Sequence, residues 1–137
     1  KLPFFVGMAE EASAAADFIA DAGALANLAD KDWVGFYRLE ADGDKLDTVH
    51  LTSGGTATVV QADAVTLVAD TWVEIGWYCD GTTVTFYADG AALSTTVAIA
   101  AAEFPDGEEL SPIIACKNAS AAAFQLDMSH WRALQLR

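Results

Sequence analysis

The stretch "TWVEIGWYCDGTTVTFYADGAAL", Thr71 to Leu93, decides how the rest of this chain is read. Val73, Ile75, Trp77 and Cys79 alternate with Glu74, Gly76, Tyr78 and Asp80, which is the two-residue period of a strand with one buried face. Asp80-Gly81 follows at once. Thr82 to Asp89 then alternates again, with Val84, Phe86 and Ala88 on one face and Thr83, Thr85 and Tyr87 on the other. Asp-Gly between two alternating runs marks a hairpin, because tight turns need positive φ and these residues tolerate it. Asp89-Gly90 supplies a second turn and opens a third strand, so the segment reads as an antiparallel meander.

The flanking sequence reads the same way. "LPFFVGM" is a strand with Pro3 at its beginning, where a missing N–H is tolerated. "WVGFYRLE" (Trp33 to Glu40) is the next, "ADGD" (Ala41 to Asp44) its turn, and "KLDTVHLTSGG" another strand ending at Gly54-Gly55. "TATVVQADAVTLVAD" reads as a pair of short β segments reaching Asp70. After the meander, Phe104-Pro105-Asp106-Gly107 is turn chemistry, and "LSPIIACKN", "AAAFQLDMSH" and "WRALQLR" close the chain with two or three strands. Roughly ten to twelve short strands with turns between them predict two stacked antiparallel sheets, an all-β sandwich forming one domain over residues 1–137. Ala9 to Asp32 is the exception, rich in Ala and short of β-branched residues. Ser13 could cap a short helix through Phe18 and Ile19 that Gly23 would end. This insertion reads equally as a helix or loop packed over the sandwich edge and as an excursion carrying partner contacts.

Composition narrows the function. A chain of 137 residues, 53% of them hydrophobic, can bury a real core and is not a disordered segment. Its apolar runs, such as Val97 to Ala102, are far short of the about 18 residues of a membrane-spanning helix. Seven basic residues against 20 acidic ones give a net charge of −13, a field that repels phosphate backbones and anionic lipid, so neither nucleic acid nor membrane is an expected partner. Cys79 and Cys116 have neither metal-ligand spacing nor a CxxC arrangement. They read as small buried hydrophobes, with a disulfide as the alternative in an oxidising compartment.

Trp72, Asp80-Gly81, Phe86-Tyr87 and Asp89-Gly90 match, in order and spacing, the central hairpin of concanavalin A-like jelly-roll domains of the LamG or legume-lectin type, and the chain resembles that family. "FFVGMAE" (Phe4 to Glu10) is similar to its early strand, and "MSHWRALQLR" (Met128 to Arg137) to its closing strand. In the pattern from "FFVGMAE" to the W-x-E-x-G of the meander, the chain most resembles lectin-like domains of tailed-bacteriophage virion proteins. The resemblance implies a jelly roll with one or more strands upstream of Lys1. It also implies a structural protein of the virion, a capsid decoration or a head or tail surface protein, assembled in the bacterial host cytoplasm. The implied partners are the major capsid or tail protein, further copies of itself, and a host-surface glycan. The same fold hosts lectins and hydrolases, so a carbohydrate-binding module or lectin stands as the alternative.

Little in the sequence points to bond-making chemistry. A glycosidase needs paired carboxylates on one face of a strand, whereas Glu10-Glu11 and Glu108-Glu109 are adjacent and would point to opposite sides. His50 and His130 neighbour no nucleophile elbow and read as structural. The expectation is therefore no catalytic residue and no resident cofactor. "EADGDKLD" gathers Glu40, Asp42, Asp44 and Asp47 around a glycine, a weak calcium candidate whose plainer reading is an acidic hairpin turn. Asn118-Ala119-Ser120 matches an N-glycosylation tripeptide, which matters only in a secreted eukaryotic protein. Phe18 and Ile19 of the insertion and Phe104 of the later loop are the candidates for partner contact. For glycan stacking, Tyr78 and Tyr87 lie on the polar faces of the hairpin, whereas Trp33, Trp72, Trp77 and Trp131 read as core or sheet-packing residues.

Overall fold

Eight strands run through the residues that the computed structural model describes, namely 3–11, 13, 18–19, 30–39, 41–117 and 127–132. They are β1 (Phe4–Glu10), β2 (Trp33–Arg38), β3 (Lys45–Leu51), β4 (Thr58–Thr66), β5 (Ile75–Cys79), β6 (Thr83–Ala88), β7 (Ala91–Ala98) and β8 (Leu110–Cys116). All pairings are antiparallel. One sheet has five strands in the order β4-β3-β2-β1-β8, and the other has three in the order β5-β6-β7. The chain is an all-β sandwich, as its turn spacing predicts.

The meander forms as its residue types require. Gly81, in the turn between β5 and β6, has φ 91°, the positive φ that a tight hairpin turn asks of glycine. Asp80 braces the loop: one carboxylate oxygen accepts the Thr82 N–H at 2.8 Å, the Thr83 N–H at 2.7 Å and the Thr82 hydroxyl at 2.7 Å. The Thr82 hydroxyl bond, then the two backbone bonds, hold this carboxyl below the usual aspartate range. Between β6 and β7, Asp89 (φ 48°) and Gly90 (φ 78°) both take positive φ, the tight-turn geometry that makes Asp-Gly a hairpin signal.

Two strand expectations change. "TATVVQADAVTLVAD" is one strand, the nine-residue β4, instead of two segments. Its register against β3 shifts twice, and Asp63 sits at φ 51° with its N–H donated to the Asp47 carboxylate at 2.8 Å. A bulge of this kind bends a strand without ending its pairing, so the alternation breaks while the strand continues. Of the closing runs expected as strands after Lys117, the described residues 127–132 form no strand; the rest of those runs, and most of the helix expected between Ser13 and Gly23, lie outside the described residues. The Ser13 hydroxyl, a helix cap in that expectation, is buried without a hydrogen-bond partner.

The large sheet is covered on both faces. On one, Phe4, Val34, Phe36, Leu46 and Val65 pack against Val84, Phe86 and Val97 of the small sheet, with the Phe36 and Phe86 rings edge to face at 5.5 Å. On the other, Phe5, Ala9, Trp33, Tyr37, Val49 and Leu51 pack with Phe18 and Ile19. Double coverage explains why Trp33 to Tyr37 is a continuous buried run where one-sided strands alternate. Each large side chain withdrawn from water in these layers contributes about 1.5–3 kcal/mol. Burial alone pushes the Tyr37 phenol up to about 12. Gly7 and Gly35 are cross-strand partners in the second layer. A Cβ on Gly35 would meet the Val6 carbonyl oxygen, the Gly7 Cα at 2.6 Å and the Phe5 Cζ at 3.0 Å. The Phe5 ring occupies the space that two glycines leave, and from there meets Phe18 at 5.1 Å and Trp33 at 5.8 Å, both edge to face.

Candidate interaction surface

Large apolar side chains exposed to solvent are concentrated beside β5. Val68 and Trp72 stand in the connection that enters this strand, 62% and 66% exposed, and Tyr78 stands on the strand itself. Met128 and Trp131 are exposed on the 127–132 segment, whose Trp131 ring lies 6.5 Å from that of Trp77. Among the described residues only two other large apolar side chains are exposed, Val59 on β4 and Ile114 on β8. Exposed carboxylates flank the same strand, Asp70 and Glu74 before it and Asp80 after it, with Asp89 alongside. Asp89 ties the small sheet together there, its carboxylate accepting the Glu74 N–H at 2.9 Å and its own N–H donating to the Glu74 carbonyl at 2.8 Å.

Two of the four tryptophans depart from the core reading. Trp33 is fully buried and Trp77 packs partly against the core, whereas Trp72 and Trp131 are exposed. The missed signal for Trp72 is parity. It belongs with Glu74, Gly76 and Tyr78, opposite the inward set of Val73, Ile75 and Trp77, so a large indole there must face away from the core.

The three residues expected at a partner contact are core residues instead. Phe18 and Ile19 are 4% and 2% exposed and complete the layer over Phe5 and Trp33, and Phe104 is buried against the other layer. An Ala-rich segment has few large side chains, and Phe18 and Ile19 of this one pack on the outer face of the large sheet. Phe104 also meets the His50 ring at 5.6 Å. The His50 Nδ1 donates to the Glu103 carbonyl at 2.7 Å, and burial holds this imidazole below its ordinary value, so the neutral form is the one that fits.

The acidic residues divide between rim and scaffold. Asp44 pairs with Arg38 at 3.3 Å, while Arg38 also donates to the Gly43 carbonyl from Nε at 2.8 Å and Nη2 at 2.6 Å. Asp47 is buried beneath the β4 bulge, its carboxyl raised by burial and by the charges of Asp42 and Asp63. Asp44 and Asp47 are thus drawn to different tasks, and Glu40 lies outside the described residues. Among the described residues no three His, Cys, Asp or Glu side chains are grouped to hold a metal ion. Three further carboxylates occupy the amides of the β3–β4 loop: Asp32 accepts from Ser53 at 2.8 Å, Asp30 from Gly54 at 2.6 Å and Glu103 from Thr56 at 3.1 Å. These three charges therefore replace water at loop N–H groups.

The cysteines also move outward. The alternation of β5 predicts a buried Cys79, but it and Cys116 are free, exposed thiols at strand ends, beyond the reach of the core layers. Tyr78 and Tyr87 share the outer face of the small sheet, since Gly76 is the cross-strand partner of Tyr87 and Tyr78 lies two residues along from it. Nothing lies within 4 Å of where a Gly76 Cβ would stand, so the two phenols flank an open notch, with Thr85 opposite Tyr78. Comparison of the chain with protein-family models, with curated proteins and with solved structures gives no match.

Proposed function

We propose that this chain is a non-enzymatic structural and interaction module, a lectin-like β-sandwich that serves on a bacteriophage virion as a capsid decoration or a head or tail surface protein. The observation that carries the interaction reading is the gathering of Val68, Trp72, Tyr78, Met128 and Trp131 along one strand and its flanks. Exposed apolar groups rimmed by charge are a mark of interaction surfaces. The virion assignment rests on the resemblance of the Phe4–Glu10 strand and the Trp72–Gly90 meander to lectin-like virion domains. In this reading affinity comes from apolar contact and strand-edge hydrogen bonds, and no bond is made or broken. Density-gradient fractionation of the native source, with mass spectrometry of every band, tests it. Peptides of this chain at high, constant copy number in virus-sized particles are the expected result, and confinement to the soluble fraction overturns the virion assignment.

Carbohydrate binding is the second reading, and the Tyr78–Gly76–Tyr87 face favours it. Two phenols on either side of an open notch offer a stacking surface for a pyranose ring, and Thr85 offers a hydroxyl. Glycan-array binding with and without calcium, repeated on Tyr78→Ala, tests this reading. Signal that Tyr78→Ala leaves unchanged overturns it.

A further inference from the structure

The four strands at the sheet edges are not equally protected. β4 and β7 meet across the corner of the sandwich, where the Gln61 side-chain carbonyl accepts the Thr95 N–H and the Ser94 hydroxyl, both at 3.0 Å. Both also carry register shifts, and bulges discourage further pairing. β8 carries Pro112, which lacks an N–H. β5, "IGWYC", has no proline, no charged residue and no break in register. The Asp80 N–H donates to Thr83 and the Glu74 carbonyl accepts from Asp89, so the even-numbered residues of this strand turn their backbone groups toward β6. The N–H and C=O groups of Ile75, Trp77 and Cys79 therefore point outward, and among the described residues no strand pairs with them.

We propose that the outer edge of β5 is an addition site for an extended segment of a partner protein, apolar at alternate residues and carrying Lys or Arg at both ends. This deepens the interaction reading and rests on it. The backbone groups of Ile75, Trp77 and Cys79 supply a ladder that fits an incoming strand of about five residues. Partly buried Ile75 and Trp77 line one side of that ladder, and Tyr78 lies toward the other. Charge selects the occupant. Asp70 and Glu74 flank the start of β5 and Asp80 its end, all exposed, so a strand with basic ends meets opposite charge at each end. A second copy of the chain, itself at −13, brings like charge to the same place.

Backbone amide exchange on the full chain tests the proposal, with the designed peptide Lys-Val-Thr-Val-Thr-Val-Arg as the probe and its Glu-ended counterpart as the control. In dilute free protein the Ile75, Trp77 and Cys79 amides should exchange fast while those of Gly76 and Tyr78 are protected. The basic-ended peptide should slow the outward set about tenfold or more. It should bind about tenfold tighter than the Glu-ended peptide, a difference lost in high salt. Cys79→Pro removes one outward N–H at an exposed position and should abolish the protection with the fold intact. Glu74→Lys, which leaves every ladder group in place, should weaken binding of the basic-ended peptide severalfold. Slow outward amides in the dilute free chain would mean that its own residues fill the edge, and protection that rises with protein concentration alone would mean a second copy; either overturns the proposal. So does failure of the peptide to protect these amides. If that failure accompanies co-fractionation with particles, the interaction reading stands and the β5 edge is not its route.

Discussion

Replacing Phe18 and Ile19 separates a core segment from a contact segment. Phe18 packs edge to face on Phe5 at 5.1 Å within a layer that includes fully buried Trp33. Truncation to Ala removes about 1.5–3 kcal/mol of burial and about 0.5–1.5 kcal/mol of ring–ring contact, a sum that overlaps the roughly 3–5 kcal/mol usual for a buried Phe. Ile19→Ala adds about 2–5 kcal/mol, reduced or enlarged by coupling because the two share one layer. Domains of this size have about 5–15 kcal/mol in all, so the double variant should be largely unfolded at 37 °C. Phe18→Ala alone should remain folded and lose about 2 M in its urea midpoint, taking a urea slope near 1.5–2 kcal/mol per molar. Tryptophan fluorescence follows the transition, since Trp33 reports on the affected layer. A midpoint unchanged in Phe18→Ala, together with a folded double variant, would refute the core assignment and return these residues to a contact surface.

Gly35→Ala should cost about 3 kcal/mol, the upper end for overpacking, because backbone atoms of β1 and the Phe5 ring confine the new methyl; calorimetry against a Gly76→Ala control, where the space is open, measures it. Asp47→Asn should raise the melting temperature at neutral pH. The folded-state carboxyl is raised by burial, so its contribution is fully present below the ordinary value of 3.8 and lost as pH rises through the folded value; the gain should vanish in melts below that pH, while the amide oxygen still accepts the Asp63 N–H. Tyr37, pushed up to about 12, contributes stability that is fully present below pH 10 and lost as pH rises from there toward 12. Phenolate absorbance should show a late step near pH 12 that Tyr37→Phe removes.

The meander was legible because its signals are local. Alternation over five or six residues places Val84 and Phe86 inward, and Asp-Gly states where each turn falls; neither needs a distant neighbour. Parity likewise placed Tyr78 and Tyr87 on the outer face, and the same rule applied to Trp72 would have exposed it. β4 reads as two segments in the sequence because a bulge breaks the pattern without breaking the strand.

By itself, then, the sequence determined the all-β class, the meander and its turns, and the excess of acid over base, since each depends on residues adjacent along the chain or on composition. Tertiary structure decided which surfaces remain. Phe18, Ile19 and Phe104 are buried because a two-faced sheet needed covering, and Cys79 is exposed because its strand outruns the core. The carboxylates of Asp30, Asp32 and Glu103 serve loop amides contributed by other parts of the chain. Which edge stays open was likewise settled by packing. β4 and β7 are adjacent only once the two sheets stack, and among the described residues no strand pairs with the outward groups of β5, because neighbours across a sandwich are chosen by the sheets' relative placement and not by spacing along the chain.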